Sequence, residues 1–154
     1  MKALTCALLL TLPTLLHAQD EKEKWQRVYT SEDSVIEMNL SKVTFGTAHI
    51  GRVRFRTIYS QPQTLNEKPV VKYKSRLETI EFQCEMHAVR YGYYPANATR
   101  YRLFEGALLD AKGKAIKSLE WDPSEAWREV RFGSMMEKLS YPACKLIDEK
   151  RRNP

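Results

Sequence analysis

The chain has 154 residues, 43% hydrophobic and 29% charged, with a formal net charge of +6 at pH 7. That length fits one domain with a core of its own. No internal repeat or low-complexity linker interrupts it, which argues against a solenoid or a string of tethered modules.

The N-terminus sets the context. Lys2 supplies a positive charge, Ala3 to Leu16 form a short apolar run broken by Pro13, and Ala18 closes a small-residue cleavage pattern. Residues 1–18 therefore read as a signal peptide cleaved after Ala18, with residues 19–154 forming a single mature domain. The run falls short of the roughly 20 residues of a membrane span. No other apolar stretch is long enough, so the expectation is no transmembrane segment in the mature chain and a location that is secreted or periplasmic, with association to the outer membrane left open. Removing 18 of 154 residues leaves 136, and the loss of Lys2 lowers the charge from +6 to +5.

Of three cysteines, Cys6 leaves with the signal and Cys84 and Cys144 remain. An even pair in an oxidising compartment reads as one disulfide. Two free thiols, or metal or redox chemistry, are the alternatives. The metal alternative is short of ligands, because His49 and His87 sit at no recognisable spacing from either cysteine. No cofactor motif is present.

Along the mature chain, Asp20 to Lys24 read as a solvated tail. Trp25 to Tyr29 and Ser34 to Asn39 are β-prone runs separated by a polar turn. His49 to Ser60 alternate, with Val53, Phe55, Thr57 and Tyr59 facing one way and Arg52, Arg54, Arg56 and Ile58 the other. Gln61 to Pro69 read as a loop, Val70 to Tyr94 as a long β-rich stretch, and Pro95 to Thr99 as a second loop. Arg100 to Trp121 read as a hairpin around Lys112-Gly113, where glycine admits the positive φ of a short turn. Ser134 and Glu137 match a capping box at a helix start, with Met135, Met136 and Leu139 on its apolar face. Pro142 predicts a kink before Cys144, and Asp148 to Pro154 read as a solvated tail. The fold class is α+β: one antiparallel sheet with a C-terminal helix packed on it, tied by a bridge from a strand at Cys84 to the helix end at Cys144.

The order of Trp25, the Tyr29–Asn39 stretch, Val53–Ser60, Tyr73–Cys84, the tyrosine-rich strand, Asp110–Ile116, Trp127–Leu139 and a final Ala143-Cys144 resembles the surface-adhesin protein E family of secreted bacterial proteins. The resemblance spans nearly all the mature chain. It rests most on Glu81-Phe82-Gln83-Cys84 and on the succession Trp127, Ser134, Cys144. It implies a small antiparallel sheet with a C-terminal helix tied to it by a disulfide, and a name-giving member that binds host extracellular proteins. The present chain differs from that member in lacking a lipidation cysteine.

No nucleophile, base or metal cluster stands at a catalytic spacing. Glu78 and Glu81 read as surface charges, and His87 as a satisfied sheet residue. The expectation is a non-enzymatic binding protein. Arg52, Arg54 and Arg56, with Lys72, Lys74 and Arg76 on an adjacent strand, could present one positive field or an ordinary solvated face. Tyr91, Tyr93 and Tyr94 could form a recognition surface or pack the sheet. Asn97 in Asn-Ala-Thr is a glycosylation acceptor only in a eukaryotic secretory pathway, and the resemblance to a bacterial family makes it a chance match. The expected partner is an extracellular or envelope protein, or an acidic glycan or lipid headgroup, not nucleic acid. An inhibitor or envelope-stress protein acting on another enzyme, and a structural envelope component, are the alternatives. Whether the chain is a monomer or a homodimer is not set by the sequence.

Overall fold

A computed structural model describes residues 23–47, 49–89, 92–119 and 126–153, and of residues 86–89 and 92–97 the backbone alone. The signal-peptide reading, with Cys6, lies outside the described residues, as does Tyr91. Among the described residues seven strands form one antiparallel sheet: β1 (Trp25–Thr30), β2 (Ser34–Phe45), β3 (Ile50–Leu65), β4 (Val71–Val89), β5 (Gly92–Leu109), β6 (Ala115–Leu119) and β7 (Arg128–Glu129). They run β1-β2-β3-β4-β5-β6 in space, each beside its sequence neighbour, and β7 also pairs with β5. Among the described residues one helix, α1 (Met135–Arg152), follows the last strand.

Local chemistry explains the turns. Ser31 binds Ser34 through backbone and side chain between β1 and β2. The β5–β6 hairpin closes where Asp110 accepts from the amides of Lys112 and Lys114 while Gly113 takes φ +79°. In β2, the buried Asn39 side chain accepts from the Ser41 and Lys42 amides, and the register with β3 jumps between Met38 and Val43. Such a bulge bends the strand across the sheet.

Alternation along the strands divides the sheet into two faces. Ile36, Met38, Val53, Phe55, Ile80 and Phe82 point to one of them, and all are buried. Phe55 and Phe82 meet edge to face with centroids 6.0 Å apart. Helix α1 covers this face with Leu139, Ala143, Leu146 and Ile147, a stripe at helical spacing. Ile147 lies directly over Gly51, where strand β3 has no side chain to keep it away.

The helix starts as the sequence predicts. Ser134 caps it by accepting from the Glu137 amide at 3.2 Å, although the Glu137 carboxylate reaches back to the Gly133 amide, one residue before the cap. It departs from expectation further on. Pro142 sits inside an unbroken helix, so Cys144 lies near the middle of α1 and not at its end. Buried side chains on both sides of the proline, and the bridge itself, hold the two halves in line, so packing outweighs the missing hydrogen bond. Cys84 and Cys144 are bonded, with Cα atoms 5.7 Å apart. The expected C-terminal tail is helical to Arg152, because Ile147 and Asp148 are buried and Arg151 donates to the Thr47 and Ile50 carbonyls. Two expected loops are also strand: β3 runs on to Leu65, and residues 95–99 belong to β5. Strand β4 supplies the ladder partners that local composition does not reveal, pairing Leu65 with Val71 and Ala98 with Cys84.

Candidate functional site

The face away from the helix carries the arginines singled out from the sequence. Arg52, Arg54 and Arg56 share it, as alternation predicts, but carboxylates stand between them and their neighbours. Arg52 Nε donates to Glu81 Oε1 at 2.9 Å, and Arg102 donates to the other oxygen of the same carboxylate. Arg56 donates twice to Glu37, through Nε at 3.1 Å and Nη2 at 2.6 Å. Arg54 reaches Glu105 at 3.1 Å, where Thr79 also donates. Aromatic rings cover several of these cations: Arg52 stacks on Phe104, Arg56 on Trp25 and Arg102 on Trp127. Glu81 is 2% exposed, so it is a buried structural anion and not the surface charge expected. Its two guanidinium partners satisfy it in place of water.

The second basic row does not join the first. Arg56 stands opposite Leu77, whereas Arg76 stands opposite Thr57, so the register is offset by one residue and the two rows lie on opposite faces. Alternation carries Lys72 and Lys74 to the face of Arg76. There Lys74 donates to the Ser60 carbonyl, and Lys72 is exposed. The fields of the two rows therefore do not add over one surface. Tyr93 and Tyr94 take part in the β4–β5 ladder opposite Ala88 and His87. Their side chains, like that of His87, lie outside the described residues.

The structure brings Arg76 to a different place. The first turn of helix α1 and the sheet face beside it enclose a cleft of about 290 Å³. Its floor is Phe55 and Thr57 of β3, Arg76, Glu78 and Ile80 of β4, and Tyr101 and Leu103 of β5. Met135, Met136 and Leu139 form the helical wall, with Ile36 and Arg128 at the sides. Four of these residues, Tyr101, Arg128, Met135 and Met136, also border a more open hollow that extends over Trp127, Glu129 and Arg131.

The polar end of the cleft is electrostatically strained. Arg76 Nη2 binds Glu78 Oε1 at 2.6 Å. Burial pushes the Glu78 carboxyl above its ordinary range, and the Arg76 charge and hydrogen bond only partly pull it back. Burial also raises the hydroxyl of Tyr59, whose ring stacks edge to face on Tyr73 near the same arginine. Glu78, expected at the surface, is half-buried. Perturbed groups beside an apolar cavity are the usual physical mark of a binding site. Among the described residues no group of three or more His, Cys, Asp or Glu could hold a metal ion.

Neither a protein-family model nor a curated protein nor a solved structure matches this chain. The site therefore has to be read from its own chemistry. Sequence reasoning named Arg76 and Glu78 but placed neither in a cleft. The available signal was the change along one face of β4, from Arg76 and Glu78 to Ile80 and Phe82.

Proposed function

We propose that the protein is a non-enzymatic binding module of the secreted or envelope space, with adhesin-like recognition of an extracellular protein. The observation that carries this reading is a pair of apolar side chains held in solvent where the helix begins, of which Met135 also lines the cleft. Phe132 is 96% exposed and Met135 is 48% exposed, on either side of a turn at Gly133 with φ +76°. The turn is held by the Ser134 amide on the Arg131 carbonyl and by the Gly133 amide on Glu137. A large apolar side chain held outside the core adds nothing to folding, while an apolar anchor beside a pocket suits a partner interface. The Cys84–Cys144 bridge and the resemblance to the surface-adhesin protein E family agree with an exported protein. No described helix is long and apolar enough to cross a membrane.

The test uses the mature chain, residues 19–154, with its disulfide intact, against purified extracellular-matrix proteins on a biosensor surface. Phe132→Ser and Met135→Ser should each weaken binding on the order of tenfold or more, as for a central interface anchor. Val70→Ser, at another exposed apolar position, should leave it unchanged. Equal binding by all four proteins, wild type included, or no binding by the wild type, would count against this reading.

A further inference from the structure

Positive charge is unevenly distributed over the molecule. On the arginine face the guanidinium groups meet carboxylates, Arg52 and Arg102 at Glu81, Arg54 at Glu105 and Arg56 at Glu37. The end of the sheet where β3 turns into β4 and β5 into β6 is different. Residues 66–74 and 110–117 hold six lysines, Lys68, Lys72, Lys74, Lys112, Lys114 and Lys117, against two carboxylates, Glu67 and Asp110. Glu32 and Asp33 belong to the β1–β2 turn, which strands β3 and β4 separate from the β5–β6 turn.

Register and one ion pair bring the two lysine-bearing turns together. Ser75 stands opposite Leu109, the last residue of β5, so Lys74 and Lys72 run on along β4 beside the turn that begins at Asp110. Lys117 of β6 pairs with Glu67, which fastens the β3–β4 turn to the β5–β6 hairpin. Asp110 accepts from the Lys112 and Lys114 amides, and its carboxyl is held below the ordinary range chiefly by the Lys114 amide, with smaller help from the two ammonium charges. Lys74 donates to the Ser60 carbonyl. Among the described residues no ion pair engages Lys68, Lys72, Lys112 or Lys114, and all four are exposed. With two carboxylates against six lysines, an excess of positive charge faces solvent here. The same end also carries apolar groups: Pro69 and Val70 lie between Lys68 and Lys72, with Val70 60% exposed, and Ile116 follows Lys114 by two residues and is exposed as well. An acidic polysaccharide gains nothing from such groups. An anionic bilayer does, since lysines hold its phosphates while apolar tips enter the headgroup layer.

We propose that this end of the sheet docks on an anionic lipid surface, with Lys68, Lys72, Lys112 and Lys114 at headgroup phosphates and Pro69 and Val70 entering the interfacial layer. The surface shares no residue with the apolar pair Phe132 and Met135, so it works whether or not that pair meets a protein.

The experiment is co-sedimentation of the mature, disulfide-bonded protein with vesicles of equal parts phosphatidylglycerol and phosphatidylcholine, and with vesicles of phosphatidylcholine alone. The mixed vesicles should bind the protein much more tightly, and the difference should shrink as salt rises. Lys72→Gln and Lys114→Gln should each weaken binding to the mixed vesicles about fivefold, the contribution of one lysine at an anionic surface. Lys145→Gln removes the same charge from an exposed position on α1 and should leave binding unchanged. Val70→Ser keeps every charge and should weaken vesicle binding severalfold while leaving matrix binding intact. All four positions are exposed, so the variants should fold. Equal binding to both kinds of vesicle overturns the proposal. So does a loss in Lys145→Gln as large as that in Lys72→Gln or Lys114→Gln, which would mean that net charge alone is read. Retention on heparin together with wild-type vesicle binding by Val70→Ser would overturn the lipid assignment in favour of an acidic polysaccharide. Loss of vesicle binding in Phe132→Ser would move the membrane contact to the start of the helix and overturn it as well. Matrix binding is scored on the same proteins, so the failure of either reading is seen separately.

Discussion

Gly51→Ala is the sharpest probe of how the helix sits on the sheet. A Cβ at position 51 would stand 2.6 Å from both Cγ1 and Cδ1 of Ile147 and 2.7 Å from its Cγ2. All three are closer than carbon atoms tolerate. Isoleucine is branched at Cβ and nearly fixed at χ1 within a helix, so it cannot swing away and the helix itself has to lift. Overpacking of this kind costs about 1–3 kcal/mol. The reduced freedom of the unfolded chain returns about 0.4–1 kcal/mol, leaving a net loss of about 1–2 kcal/mol. With a urea slope of about 2 kcal/mol/M, the unfolding midpoint should fall by about 0.5–1 M at unchanged slope. Ile147→Ala deletes all three clashing atoms and alone should cost about 2–5 kcal/mol. In the Gly51→Ala background it should cost at least about 1 kcal/mol less, since the two positions share one contact. A Gly51→Ala midpoint equal to or above that of the wild type would show that Ile147 does not rest on strand β3.

Three further outcomes follow from the same geometry. The bridge closes 60 residues of chain, so Cys84→Ala and Cys144→Ala should each lower stability by about 4 kcal/mol in the loop-entropy model; a wide gap between them in urea titrations would argue against a shared constraint. Ser134→Ala removes the acceptor for the Glu137 amide and should cost about 1 kcal/mol, read as a lower thermal midpoint; no change would mean that the helix start is held by other bonds. Burial keeps Glu78 protonated above its usual 4.5 in the folded chain, so the stability it contributes is complete below that value and declines as pH rises through the folded-state pKa. Glu78→Gln lacks this dependence, and the wild-type stability minus that of the variant should therefore fall with rising pH over that window; a flat difference would contradict the burial argument.

Much of the architecture can be read directly from residue patterns. Period-two alternation in β3 separates Val53 and Phe55 from Arg52 and Arg54, and the even cysteine pair anticipates the bridge. Ser134 and Glu137 mark the helix start within one residue. What alternation does not carry is register. A face can be assigned to each strand separately, yet only the pairing of Arg56 with Leu77 reveals that Arg76 points the other way. Burial of charge is equally hidden, because Glu81 looks like any strand glutamate until Arg52 and Arg102 arrive from the strands on either side. Helix length was obscured by Pro142, whose local preference is outweighed by the apolar stripe that continues to Ile147. The cleft depends on all three, since its wall is the first turn of the helix and its charged lining is set by register.

The position of the disulfide gives α1 the mechanics of a lever. Cys144 is the fulcrum, near the middle of the helix, and the C-terminal arm is clamped by Ile147 over Gly51 and by Arg151 on the Thr47 and Ile50 carbonyls. The other arm, from Met135 onward, forms the wall of the cleft. Pro142 lies between that arm and the fulcrum, and because proline has no amide hydrogen, the Lys138 carbonyl lacks its usual partner four residues on. Leu139 and Ser140 are buried before the proline and Ala143 and Cys144 after it, so packing takes over from the missing bond, and the covalent pivot and the clamped arm keep the sheet covered.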